Sequence, residues 1–443
     1  MSIHRIANII ITSTNPELFK DFSQKLESNN YTVLTCDNKS LDKKAKTAHP
    51  DLIVIDVSCD DFDGFACVRD IKTAEETQHI PVVIIAQQKS NDLYQQAIDA
   101  RADDVFIHST DIQEFFIHIK SLLRLSTMFM ELDNRVKLAN DFGVPASNEV
   151  LTQDHTPYQI LLIAPQDGDL ATLETLLDGN CQIETCKDYF EAEELLSDGK
   201  YDASICNLLD GQQEAVFSLC SRVRNNPRLF NLPMLVISEG QISDRMEAYR
   251  RGVTRIVRRP INHASLKAKI KMLVRRQRLR WNIRNAMLST HEAKTIDGAT
   301  NAYNREFFEK HFATQVENGH KWRKHLAVVF FSIPNIPSIE SQFGQESCAH
   351  LLQQIYQWIA GLSRVEDMVA RYGNHEFCIV LPDTPQEEAQ KVMHRIAGIL
   401  SYTDFAVVDV FQPISIWVES GITSLELGDD IDILIDRARQ NID

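Results

Sequence analysis

Arg364 and Asp367 stand three positions apart, and five residues separate Asp367 from the run Gly373-Asn374-His375-Glu376-Phe377. A guanidinium is a planar fork that makes two parallel hydrogen bonds to a phosphate or to the Hoogsteen edge of guanine. A carboxylate beside it can accept from guanine N1–H and the exocyclic amine. The same two residues also fit a plainer reading, an exposed Arg–Asp pair on a helix-to-strand turn, with a contribution of about 0–1 kcal/mol. In the second run, Glu376 offers one carboxylate and His375 a ring nitrogen that could hold zinc or manganese. No second ligand accompanies the histidine, so a turn histidine at an exposed hairpin is the expectation for it.

These residues need elements to position them. The chain has 443 residues, enough for about three domains, and 44% hydrophobic with 24% charged residues is a globular composition. A net charge of −16 argues against attraction to nucleic acid or to an anionic membrane surface. No apolar run is long enough to span a membrane. The amino terminus lacks a signal pattern. The nine cysteines show no C-x-x-C spacing, which places the chain in a reducing cytoplasm with neither disulfides nor a zinc site expected. One pattern occurs twice, offset by about 150 residues: Ile9-Ile10-Ile11-Thr12 and Ile160-Leu161-Leu162-Ile163 each precede an amphipathic stretch. Leu18, Phe22 and Leu26 mark that stretch in the first copy, Leu173 and Leu177 in the second. Further apolar runs of strand length follow at 52–55 and 82–85, and at 203–206 and 234–237. Apolar strands alternating with helices predict a doubly wound parallel sheet in each copy.

Both copies resemble receiver domains of response regulators. Pro50-Asp51-Leu52-Ile53-Val54-Ile55-Asp56, Asp63-Gly64-Phe65, Ile80-Pro81 and Ala102-Asp103-Asp104 carry the likeness in the first. Lys200-Tyr201-Asp202, Leu232-Pro233, Gly252-Val253-Thr254-Arg255 and Arg259-Pro260 carry it in the second. The resemblance implies a CheY-like fold and an aspartate that takes phosphate from a histidine kinase with Mg²⁺. Asp56 matches that phosphoacceptor, but Ser13 and Thr14 replace the acidic pair, Ala86 the hydroxyl and His108 the lysine. One carboxylate holds Mg²⁺ poorly, because the ion needs several hard oxygens. In the second copy Asn207 stands at the acceptor, Ala164-Pro165 at the acidic pair, Ser238 at the hydroxyl and Arg259 at the lysine. A packing or dimerisation role is expected there.

Asp297-Gly-Ala-Thr-Asn-Ala-Tyr-Asn-Arg305 and Arg371-Tyr-Gly-Asn-His-Glu-Phe-Cys-Ile-Val-Leu-Pro382 resemble GGDEF domains, the diguanylate cyclases that join two GTP molecules into cyclic di-GMP. Their chemistry needs two divalent cations. The resemblance places the metal carboxylates at Ser332 and His375, a lysine at Pro337, and the guanine readers at Glu340 and Ala349. Asn374 replaces a glycine that lets nucleotide approach the hairpin. The sequence ends before the usual A-K-x-x-G-R-N stretch, so its basic phosphate contacts are expected to be missing. The inhibitory Arg-x-x-Asp product site, by contrast, is matched by Arg364 and Asp367, with Arg395 where a neighbouring subunit supplies a further arginine. Arg250, Arg251, Arg255, Arg258 and Arg259, and arginines of the helix after them, offer cations for a ligand bridging two domains, or for an ion-paired interface.

Receiver, receiver, GGDEF is the order found in PleD-type response regulators. The expected boundaries are receiver 1 at 1–125, a linker at 126–156, receiver 2 at 157–280, a linker helix at 281–295 and a degenerate GGDEF domain at 296–443. The resemblance implies a cytoplasmic homodimer that binds cyclic di-GMP without making it. A histidine kinase acting on receiver 1 and an unidentified downstream protein are the implied partners. A divergent active cyclase and a ligand-free scaffold are the alternatives.

Overall fold

The structure, a computed structural model, describes every residue except 1–3, 14, 15, 59–62, 152–154, 210, 227, 241, 243, 409 and 443. Of Pro16, Glu17, Leu18 and Asn38 it describes only the backbone. Thr14 and the Leu18 side chain therefore lie outside the described residues. The chain divides into two compact units, one of residues 7–126 and 150–282, the other of residues 1–6, 127–149 and 283–443.

The first unit holds both receiver-like domains. Strands β1 (Asn8–Thr12), β2 (Thr32–Cys36), β3 (Leu52–Asp56), β4 (Val82–Ala86) and β5 (Asp104–Ile107) form a parallel sheet in the order β2-β1-β3-β4-β5. Strands β6 (Tyr158–Ile163), β7 (Cys181–Cys186), β8 (Ala203–Leu208), β9 (Met234–Ser238) and β10 (Arg255–Arg258) repeat that order as β7-β6-β8-β9-β10. β1, β3, β4, β8 and β9 are buried at every residue, as a sheet covered on both faces demands. Short polar side chains set the helix starts. Asp63 accepts from the amide of Ala66, and Ser90 from that of Leu93. Asp56 ends β3, and Asn207 lies one residue from the end of β8. These are the carboxyl edges where sheets of this topology place their sites.

The second unit is built on an antiparallel sheet of β11 (Leu326–Ser332), β12 (Met368–Arg371), β13 (Glu376–Pro382) and β14 (Glu419–Ser424), in the order β12-β13-β11-β14. β11 alternates its faces. Ala327, Val329 and Phe331 meet the helices Ile336–Phe343, Gln345–Leu362 and Gln386–Ser401. Val328 and Phe330 meet Arg305–Trp322 and Ile431–Gln440. Ala139 and Val144 are buried in that second core, with Phe142 edge-on to Phe307 at 5.3 Å. The stretch 126–156, expected to be a linker, therefore belongs largely to this unit as structure. Its polar, proline-bounded end masks an apolar helical stripe. The two long helices are Ile112–Asp141 and His263–Leu288, and the division between units falls within both.

Candidate functional site

The signature hairpin joins β12 to β13. The amides of Tyr372 and Gly373 both donate to the Glu376 carbonyl, at 2.9 and 3.2 Å, which closes the turn. Arg371 braces it. One guanidinium nitrogen donates to Asp297 at 3.0 Å and another to the Asn374 carbonyl at 3.0 Å. Burial opposes ionisation of Asp297, but hydrogen bonds from Thr300 and Arg371 outweigh it and hold the carboxyl below its ordinary range. The opening Asp297–Arg305 motif is thereby tied to the hairpin it accompanies in sequence resemblance.

Glu376 is the carboxylate left in the signature, and it is taken. Arg439 from the last helix donates to both its oxygens, at 2.9 and 3.1 Å. Ser332 lies opposite Glu376 across the β11–β13 ladder, so the position matched to a metal aspartate does face the hairpin, with a hydroxyl in place of a carboxylate. His375 is half-buried, and its backbone carbonyl accepts from Ile333 at 3.0 Å. Asn335 donates to the Ser415 carbonyl and accepts from the Trp417 amide, so this loop is pinned to the chain's own 415–417 segment. Among the described residues no group of three or more His, Cys, Asp or Glu could hold a metal ion.

Arg364 and Asp367 occupy the turn between helix Gln345–Leu362 and β12. Asp367 is only 6% exposed, which corrects the plain reading of a solvent-exposed pair. Its carboxylate accepts from the Arg364 amide at 2.7 Å, so the aspartate fixes the turn it sits in. The Arg364 side chain is half-exposed, and its guanidinium has no hydrogen bond or ion pair among the described residues. Arg395 donates to the Leu362 carbonyl at 2.8 Å, two residues before Arg364. The three predicted ligand residues thus lie together in one chain. Arg395, matched to an arginine that a neighbouring subunit supplies, satisfies a carbonyl at a helix end of its own chain. Sequence reasoning missed Arg439 and Arg135. Arg135 reaches the same turn, and the signal available for it was a Glu131–Arg135 pair one helical turn apart on an apolar stripe.

In the first receiver Asp56 is 2% exposed. It accepts from the Ser13 hydroxyl at 2.7 Å and the Ser58 amide at 3.0 Å, and His108 stands 3.8 Å away. In the second, Arg259 donates to both oxygens of Asp169 and to Asn207, which itself donates to Asp169 at 2.7 Å. A guanidinium fills the acceptor pocket. Asp169, four residues beyond Pro165, was not foreseen. The other arginines read as a possible ligand surface are largely engaged inside this unit. Arg255 pairs with Asp104 and His118, and Arg251 with Glu214 at 2.7 Å. Arg278 pairs with Asp202 at 2.7 Å. Of these, Arg255 joins the two receiver-like domains, while Arg251 and Arg278 pair within the second. Topology brings β5 and β10 residues into one charged cluster that no local pattern announces.

Two families match. Residues 9–120 match the response regulator receiver domain, and residues 294–443 the diguanylate cyclase GGDEF domain. The chain is 25% identical to the response regulator PleD of Caulobacter vibrioides over 430 residues, 94% of this chain and 92% of that one. It is also 25% identical over 144 residues to the diguanylate cyclase DgcP of Pseudomonas aeruginosa, 32% of this chain and 21% of that protein. The GGDEF domain of DgcB from Caulobacter crescentus, solved with c-di-GMP, aligns with a TM-score of 0.32 at 19% identity, covering 34% of this chain and 87% of that one. The chain carries a response regulator receiver domain and a GGDEF domain, and along nearly its whole length it is similar to PleD.

Proposed function

We propose that this protein is a catalytically inactive response regulator that binds cyclic di-GMP through the turn carrying Arg364 and Asp367. One contrast supports the reading. Glu376, the carboxylate remaining in the signature, is neutralised by Arg439, while the Arg364 guanidinium is uncommitted. Two-metal phosphoryl chemistry needs carboxylates free to hold cations. A product site needs a free planar cation, and Arg364 is one. On this reading Arg364 grips a phosphate or the Hoogsteen edge of guanine, Arg395 adds charge, and Asp367 holds the turn and accepts from the guanine edge. The protein works as a homodimer whose ligand state is read by a downstream protein, and a histidine kinase acting at Asp56 belongs to the same proposal.

Calorimetric titration of the full chain with cyclic di-GMP tests it. Micromolar or tighter binding is expected, with a loss of about a hundredfold in Arg364→Ala, the worth of a charge-assisted pair. No heat with the intact chain overturns the effector reading in favour of a scaffold. Incubation with GTP and Mn²⁺ is expected to give no cyclic di-GMP; product formation would establish a divergent cyclase instead.

A further inference from the structure

We propose that Arg135 is a positioning residue for the cyclic di-GMP site; this rests on reading the Arg364–Asp367 turn as that site. Arg135 lies near the end of helix Ile112–Asp141 and is 3% exposed. It donates to the Glu366 carbonyl at 2.6 Å and to the Val365 carbonyl at 3.4 Å. Those carbonyls belong to the two residues between Arg364 and Asp367. A single buried guanidinium therefore holds the middle of the turn from behind, while the Asp367 carboxylate holds its front through the Arg364 amide.

Arg135 is itself held before it reaches the turn. Glu131, one helical turn earlier, stands 3.8 Å away, and its carboxylate is bound by His311 at 3.0 Å and by Gln315. The guanidinium sits 5.9 Å from the centre of the Tyr303 ring. Tyr303 is in turn bonded to the strand that follows the turn: its amide donates to Val369 and its carbonyl accepts from Arg371 at 2.9 Å. A buried cation aimed at two neutral carbonyls is an expensive way merely to attach a helix, since an apolar contact would do so without desolvating a charge. It does fix two peptide planes, and hence the direction from which Arg364 leaves the backbone. Its charge also lies behind a site that receives a polyanion. Removing it leaves two carbonyls without their donor, and the turn relaxes.

The test compares the full chain with Arg135→Met, Arg135→Lys and Thr127→Val. Thr127 bonds Asp383 at 2.6 Å from the same helix, two turns away from Arg135, and so loosens the helix without touching the turn. Arg135→Met is expected to weaken cyclic di-GMP binding about tenfold or more, Arg135→Lys to restore part of it, and Thr127→Val to change it less than about threefold. Hydrogen exchange of the 364–367 amides in ligand-free protein is expected to speed up in Arg135→Met and not in Thr127→Val. Equal exchange at the turn in Arg135→Met and the parent chain overturns the inference, as does faster exchange of equal size in Thr127→Val. A parent chain that binds no ligand overturns the functional reading alone, because the exchange comparison still decides what Arg135 does.

Discussion

Glu376 and Asp297 are carboxylates of one domain, each with an arginine for a partner. Arg439 reaches Glu376 from solvent-exposed helix surface, whereas Arg371 meets Asp297 in a partly buried setting with two further bonds from Thr300. An exposed ion pair contributes little, a hydrogen-bonded one more. Asp297→Ala is therefore expected to cost about 1–3 kcal/mol in urea unfolding, and Arg439→Ala under about 1 kcal/mol. Because the folded state holds the Asp297 carboxyl below 3.8, its contribution is complete above that pH and disappears as the pH falls through the folded value. Equal unfolding midpoints for Asp297→Ala and the parent chain would contradict this. Residue types in the signature were legible: the loss of carboxylates at 332 and 375 can be read off the chain. The capture of Glu376 was not, because its partner lies 63 residues away on another element.

Strands and helices bring the ionisable groups of the receiver pair together. His118 is buried, and burial together with the Arg255 charge pushes it down to about 4 from 6.5, against the pull of Glu114 and Asp104. Burial opposes ionisation of Glu114, but hydrogen bonds from His118 and Tyr249, with the Arg245 charge, bring it down to about 2 from 4.5. Both folded values lie below the unfolded ones, so the unfolded chain takes up protons first as the pH falls. The contribution of these two groups to stability is expected to be complete above pH 6.5, to decline from there toward pH 4 through His118, and to decline further below 4.5 through Glu114. Urea midpoints of the full chain across that range check the sign, and His118→Gln is expected to flatten the upper part of the fall. A midpoint that rises on acidification would refute it. The strands themselves were plain in the sequence, since runs such as Leu52–Ile55 are buried throughout. The packing of Ala139 and Val144 is not legible in the sequence, because polar surface and flanking prolines outweigh so sparse a stripe.

At the scale of the molecule, the proposed ligand residues and Arg135 all belong to the unit of residues 1–6, 127–149 and 283–443. Three of the four tryptophans, Trp322, Trp358 and Trp417, lie in it as well. A ligand that binds only the folded state adds RT ln(1 + [L]/Kd), about 2.7 kcal/mol at a hundredfold excess over Kd. Tryptophan-detected urea unfolding is expected to shift by that amount with saturating cyclic di-GMP and to stay in place in Arg364→Ala. An unmoved transition in a chain that binds by calorimetry would place the ligand elsewhere.

The parallel sheets of the first unit and the absence of carboxylates at 332 and 375 follow from the amino-acid sequence alone. Apolar periodicity and missing carboxylates are local properties, written within a few residues of where they act. What Arg135, Arg255 and Arg259 reach was decided only by the tertiary structure. Arg135 meets its turn across 231 residues, Arg255 meets Asp104 across 151 and Arg259 meets Asp169 across 90. A long cationic side chain takes whichever oxygen the topology brings within reach, and that choice has no periodicity for a sequence to display.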